Sequence, residues 1–361
     1  MNLRVSLGIG SSLAAVGAAV VAGGFASPAA AGRQVGAPTR SPLAYGWPVR
    51  PFDRPHPVRG NFGDPRTIYW GLTSDLDQGG SFQFHNGVDI SAASGTAVYP
   101  VVSGRVRRVF YDWVGVASAG RRFQYWHIRP SVRVGQLVSA RRTVLGYIVP
   151  GAGHVHLTEI DGTTPVNPLQ YGHLTPYWDR TPPSIRAIVV RGSTSGALGG
   201  RIWFVVNAYD LPSITPPAPW GAQPVTPAEV SWTLRGPGGR TVIPRTVAAD
   251  FRFHLPPRRD FWHVYATRTR QNQPTIAFTH QHEPGRYFFD LTPGGLPTAS
   301  LPTGRYRLTV TVTDIRSNRT ERTRLFTISR SSRASLASVG GFRGRPASRP
   351  ANVVSDVADR S

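Results

Sequence analysis

His154-Val155-His156 sets two imidazoles two residues apart. In a β-strand, residues i and i+2 share a face, so both rings would stand side by side. Two imidazoles plus one carboxylate, with a fourth position left for water, make a catalytic zinc set. His85 and Asp89 supply a second pair, four apart, in Phe84-His85-Asn86-Gly87-Val88-Asp89-Ile90. That even spacing also allows one shared face. His127 stands in Tyr125-Trp126-His127-Ile128. An imidazole titrates near neutral pH and can take and return a proton.

The same sequence holds a control. His280-Gln281-His282 is another His-x-His, but Glu283-Pro284-Gly285 follows as a turn signal and no His-x-x-x-Asp precedes it. It reads as a surface loop. Glu159 has the opposite strand parity to His154 and His156, so a structural part is expected for it, not that of general base. No His-Glu-x-x-His helix and no Gly-x-Ser-x-Gly elbow is present, which argues against helix-borne zinc chemistry and a serine hydrolase.

Composition narrows the chemistry further. The chain has 361 residues, no cysteine and no lysine, so all 41 basic residues are arginine. Thiol catalysis, disulfides, Cys-ligated zinc, a P-loop and Schiff-base chemistry are excluded. The net charge of +22 points to an acidic partner such as an anionic wall polymer, or records genome composition. Nucleic acid is not expected, since no reader motif accompanies the charge. The 39 glycines and 33 prolines are hostile to long helices, so an all-β chain is expected.

The elements that must position the histidines follow. Residues 1–31 read as an export signal, with Arg4 before an apolar run and a small-residue cleavage site at Ala29-Ala30-Ala31. The expected location is secreted or extracytoplasmic, wall-associated or periplasmic, with no stable membrane partner unless the signal is retained. Residues 32–57 read as a Pro/Arg-rich linker with little structure of its own. Residues 58–172 carry short apolar runs broken by glycine, with strands expected over 97–102, 105–110, 123–128, 132–138 and 143–149. The polar stretch Thr67–Gly80 reads as an inserted loop. Residues 173–185 read as a linker. Residues 186–329 form a second β block whose clearest strand is Gly304–Ile315, with Ile202–Tyr209, Val230–Leu234 and Tyr287–Leu291 as partners. The pattern suits an immunoglobulin-like β-sandwich. Residues 330–361 read as a disordered basic tail. Trp113, Tyr125 and Trp126 fit either a substrate groove or, more commonly, the core. Asn61 reads as a turn residue.

The ordered motifs Phe84–Ile90, Gly95–Val98, Tyr125–Ile128, Val132–Val138, Gly153–Ile160 and Asn167-Pro168, with the upstream turn Gly60–Arg66, resemble the lysostaphin-type zinc endopeptidases, the LytM-like peptidoglycan hydrolases. The resemblance covers about residues 58–172. It implies an antiparallel β-sheet metallopeptidase domain of the duplicated-hybrid-motif type. It also implies one Zn2+ ion held by His85, Asp89 and His156, with His127 and His154 as catalytic histidines. The substrate it implies is a peptide of peptidoglycan cross-links or stems. Two departures are small: Val155 stands where Leu is common, and Gly153 replaces the usual Pro. The alternative is a catalytically silent wall-binding protein or amidase activator on the same fold. Such relatives typically lose metal ligands, and none of the five positions is substituted here.

Overall fold

Strand alternation decides the central sheet. In His154–Asp161, Val155 and Leu157 are fully buried on the core face, while His154 and His156 occupy the other face. Val88 and Ile90 do the same beside Asp89 and Ser91. Each such apolar side chain contributes about 1.5–3 kcal/mol on burial, so a slip of one residue would be costly. The strand register is therefore fixed by Val155 and Leu157, and the register in turn fixes the histidines.

The structure is a computed structural model and describes residues 44–69, 80–192, 200–221, 223–273 and 284–329. The expected signal, most of the first linker, most of the inserted loop, the His280–His282 motif and the basic tail lie outside the described residues. Antiparallel strands dominate, and the α-helix is a single turn, Phe261–Val264, among the described residues. No helix there is long and apolar enough to cross a membrane.

The first block is built on an eight-stranded antiparallel sheet. Its order is Val58–Gly60, Val88–Ser91, His154–Asp161, Arg121–Trp126, Trp113–Ser118, Gly104–Val109 and Leu137–Val138, with Thr164–Val166 pairing on His154–Asp161. A three-stranded sheet of Ala97–Val98, Gly146–Ile148 and Ile128–Pro130 accompanies it. Most expected strands are present but shorter. Of Val132–Val138 only Leu137–Val138 is a strand, because Gly135 takes a positive φ of 88° and turns the chain. The ends of the expected inserted loop are also extended: Pro65–Tyr69 and Gly80–Phe84 pair as a two-stranded ladder.

The lead-in is not structureless from Ala44 onward. Tyr45 and Trp47 are buried, the Trp47 indole N–H donates to the Pro176 carbonyl, and Tyr45 bridges to Leu174. Two large aromatic side chains outweigh the local prolines. The buried Tyr45 hydroxyl donates to Glu159, which also meets Arg121 and His173. Glu159 thus lies on the core face with an ion-pair network, as its parity required.

The second block contains two four-stranded antiparallel sheets. One holds Ser184–Gly192, Arg201–Tyr209, Phe288–Asp290 and Leu296–Pro297. The other holds Thr241–Asp250, Glu229–Arg235, Gly304–Thr313 and Arg319–Ile328. Phe204 of the first meets Trp232 and Phe326 of the second. Of the three strands expected to partner Gly304–Thr313, only Glu229–Arg235 pairs with it; the other two belong to the facing sheet. The described residues all fall within one compact unit, and the two blocks pack directly on each other.

Candidate metal centre

Three neighbouring strands and one loop assemble the centre. Asp89 stands opposite His156, and Ser91 opposite His154, across the adjacent ladder. His85 enters from the loop after Gly80–Phe84, held because its backbone N–H donates to the Asp64 carbonyl. His85 Nε2 lies 2.7 Å from His156 Nδ1 and 3.1 Å from Asp89 Oδ1. His156 Nδ1 lies 3.0 Å from the same oxygen. Close approach requires glycine nearby. A Cβ on Gly87 would stand 2.3 Å from the Leu157 carbonyl oxygen, and one on Gly60 would stand 2.7 Å from Asp89 Oδ2.

The donor set fits a metal. The other ring nitrogen of His85 lies 2.8 Å from the Asn61 carbonyl, which accepts its proton and leaves Nε2 bare. The other ring nitrogen of His156 faces the Thr158 hydroxyl at 2.7 Å, which is able to accept its proton and so leave Nδ1 free. With the Asp89 carboxylate, three lone-pair acceptors converge on one point, an arrangement that a shared cation relieves. Burial pushes His85 down to about 3, and Arg66 acts in the same direction. Burial alone would raise Asp89, but His85 and Arg66 beside it hold its carboxyl well below the usual range. Both groups therefore stand in the forms that bind metal, neutral imidazole and carboxylate.

His154 and His127 flank the ligands, with ring centroids 4.5 Å apart. His154 Nε2 is 3.5 Å from Asp89 Oδ1. Burial holds His154 down to about 3, and burial also lowers His127. His127 has a positive φ of 65°, unusual for a residue with a Cβ, so its placement is enforced by the fold. All five expected site residues are thus brought together.

Two arginines join them. Arg66 donates to Asp89 Oδ2 at 2.6 Å, leaving Oδ1 to the imidazoles. Arg59 reaches His154 Nδ1 at 2.6 Å, and its guanidinium lies 3.8 Å from the Trp220 ring centroid. Arg59 is pulled down to about 10 by burial, yet keeps its charge at neutral pH.

The centre opens into a groove of about 1330 Å³. Trp126 and His127 line it from the first block; Trp220, Leu255, Arg258 and Asn272 line it from the second. The second block also holds the turn beneath the ligands. Thr226 N–H donates to Asp64 Oδ1 at 2.6 Å, and the Asn61 amide donates to the Thr226 carbonyl at 3.0 Å. The Tyr265 hydroxyl donates to the Gly63 carbonyl, and the Asn272 amide donates to the Arg59 carbonyl, each at 2.8 Å.

Solved structures match part of this chain at low identity. Of three such structures, two are described as peptidases. Helicobacter pylori Csd3 is 19% identical over 38% of this chain and 36% of its own, with a TM-score of 0.29. The lysostaphin catalytic domain from Staphylococcus simulans is 22% identical over 24% of this chain and 77% of its own, with a TM-score of 0.22. A zinc-containing peptidase from Vibrio cholerae is 21% identical over 35% of this chain and 39% of its own, with a TM-score of 0.26. The match spans only about a third of the Csd3 structure. No family profile and no curated protein matches the chain.

Sequence reasoning missed Arg59, Trp220 and the roles of Asp64 and Arg66. Arg66 closes the quoted Gly60–Arg66 turn, so its proximity was available; Trp220 had no local signal. Of the three aromatic residues, Tyr125 is core, Trp126 lines the groove, and Trp113 stacks on Trp126. A second buried acidic group, Asp179, Asp210 and Asp314, gathers where the expected linker meets the second block. Each of its carboxylates accepts a backbone N–H, from Thr181, Leu211, and Arg316 with Asn318.

Proposed function

We propose that this chain is an exported zinc metalloendopeptidase that hydrolyses peptide bonds in peptidoglycan cross-links or stem peptides. The observation that carries this reading is the convergence of His85 Nε2, His156 Nδ1 and Asp89 Oδ1, with both free imidazole faces turned to one point beside His154 and His127. His85, Asp89 and His156 would hold one Zn2+. That ion supplies a Lewis acid and an acidified water when bound.

The protein's own residues do the rest. The Asn61 carbonyl fixes the His85 tautomer, the Thr158 hydroxyl would accept from His156 in the metal-binding form, and Arg66 fixes the carboxylate. His154 and His127 hold the proton taken from the attacking water and return it to the departing amine. The groove receives an extended peptide between the two blocks and sheds water around the scissile bond. The acidic wall polymers are the partner that the +22 charge fits. The second block is proposed as an immunoglobulin-like β-sandwich that completes the groove.

The test is zinc content and release of peptide fragments from purified sacculi, on the wild type and two variants. His156→Ala is expected to lose metal and turnover. His154→Ala is expected to keep metal and lose turnover by about 10²–10⁴-fold. Full lysis by both variants would sink the reading. A wild type that holds zinc and binds sacculi without cutting them would instead be a binding module.

A further inference from the structure

The sheet face that carries His156 continues sideways beyond the groove. Trp126 stands opposite His156, and Trp113 stands opposite Trp126. Trp113 and Trp126 stack with ring centroids 4.8 Å apart and an interplanar angle of 21°. Phe110 stacks on the other face of Trp113 at 4.8 Å and 13°. Phe110 is 49% exposed and the adjacent Tyr111 is 87% exposed. A ladder of three nearly parallel rings therefore runs from a metal ligand out to open surface.

A recess of about 170 Å³ opens beside this ladder, lined by Arg107, Arg108, Arg122, Trp113, Gly115 and Gln124 among others. Gly115 keeps it open: a Cβ there would lie 3.1 Å from the Trp113 ring. No acidic side chain lines it. Arg122 donates to the Gly162 carbonyl, whereas Arg107 and Arg108 have no hydrogen-bonding or ion-pairing partner among the described residues. Three arginines lining one small hollow concentrate positive charge that an anion would offset. They offer more donors than the two oxygens of a carboxylate can satisfy, which favours a phosphate with its larger acceptor set. The surroundings deepen the bias. From Gly104 to Pro150 eight arginines are exposed, and the one acidic residue, Asp112, is half-buried.

We propose that this recess is an accessory site for the phosphate groups of a phosphate-bearing wall polyanion, whose neighbouring apolar parts lie on the Phe110–Trp113 face. Bound there, the polymer holds the wall beside the groove while its peptides are cut. The choice of a wall polymer rests on the hydrolase reading above; the phosphate chemistry does not.

The test is sedimentation of the full chain with purified sacculi, intact or stripped of phosphodiester polymers by acid, with inorganic polyphosphate as soluble competitor. Arg107→Gln/Arg108→Gln is expected to weaken binding to intact sacculi roughly tenfold and to abolish competition by polyphosphate. Turnover of a short soluble peptide should stay unchanged. Stripped sacculi should bind the wild type no better than the double variant binds intact ones. Arg141→Gln/Arg142→Gln removes equal charge from residues outside the recess and should bind within twofold of wild type. Equal binding by the recess variant, an equal loss in the control, or undiminished binding to stripped sacculi overturns the proposal. A wild type that binds in this way but cuts no peptide would count against the hydrolase reading alone.

Discussion

At the residue scale, the buried acids set a pH dependence separate from the metal centre. Burial raises Asp179 to about 6 and raises Asp210, both with help from neighbouring carboxylates, and burial raises Asp314 against its hydrogen bonds from Asn318 and Arg316. Their folded values lie above the unfolded value near 3.8. The stability they contribute is complete below that value and is lost as pH rises through the folded values. Asp210→Asn keeps the acceptor for Leu211 N–H and removes one charge. It is expected to raise stability at pH 8 by roughly 1–2 kcal/mol and to change little at pH 4. Thermal unfolding at the two pH values checks this; an equal gain at both would refute the electrostatic cause. His154 and His156 were legible from strand parity and His85 with Asp89 from even spacing, whereas the part given to His127 came from the resemblance. The Asp trio was not legible, since its members come from three distant turns. Arg59 was hidden for the same reason: its meaning lies in contacts with Trp220 and His154.

At the element scale, close packing of strands is what brings His85, Asp89 and His156 within reach of one another. Gly87 sits where its Cβ would strike the Leu157 carbonyl, one residue from His156. Gly87→Ala is expected to push the Val88–Ser91 and His154–Asp161 strands apart. Zinc affinity should fall about 10–100-fold, with a loss of roughly 1–3 kcal/mol in folding stability. Competitive zinc titration and thermal unfolding measure the two; unchanged affinity would show that the ladder has slack. Gly153 gives a related lesson. Its φ of +63° lies outside what proline can adopt and is strained for any side chain, so glycine is what lets the chain turn into the paired histidines. The alternating strand Gly304–Thr313 was easy to read from its pattern. Trp113–Ser118 was not, because its run Trp-Val-Gly-Val-Ala-Ser is apolar without a clear polar partner face. Sheet membership in the second block was also beyond the sequence, since alternation shows that a strand has two faces but not which neighbour it joins.

At the scale of the whole molecule, the second block acts as support for the first. Thr226, Tyr265 and Asn272 hydrogen-bond to the segment that carries Arg59, Asn61, Gly63 and Asp64. A chain ending at Pro183 leaves Asp64, raised by burial to about 7, without its Thr226 partner. The truncated protein is expected to unfold at a lower temperature and to bind zinc at least tenfold more weakly. Calorimetry and zinc titration of residues 44–183 test this; full retention of both would make the second block an independent appendage. Trp220, lying over Arg59 from across the groove, carries a last implication. About a third of the cleft's lining is written in the later part of the chain, so recombination that exchanged this block for another would discard that wall of the cleft along with it. A change in either block that moves Trp220 or Arg59 would reshape what the cleft accepts.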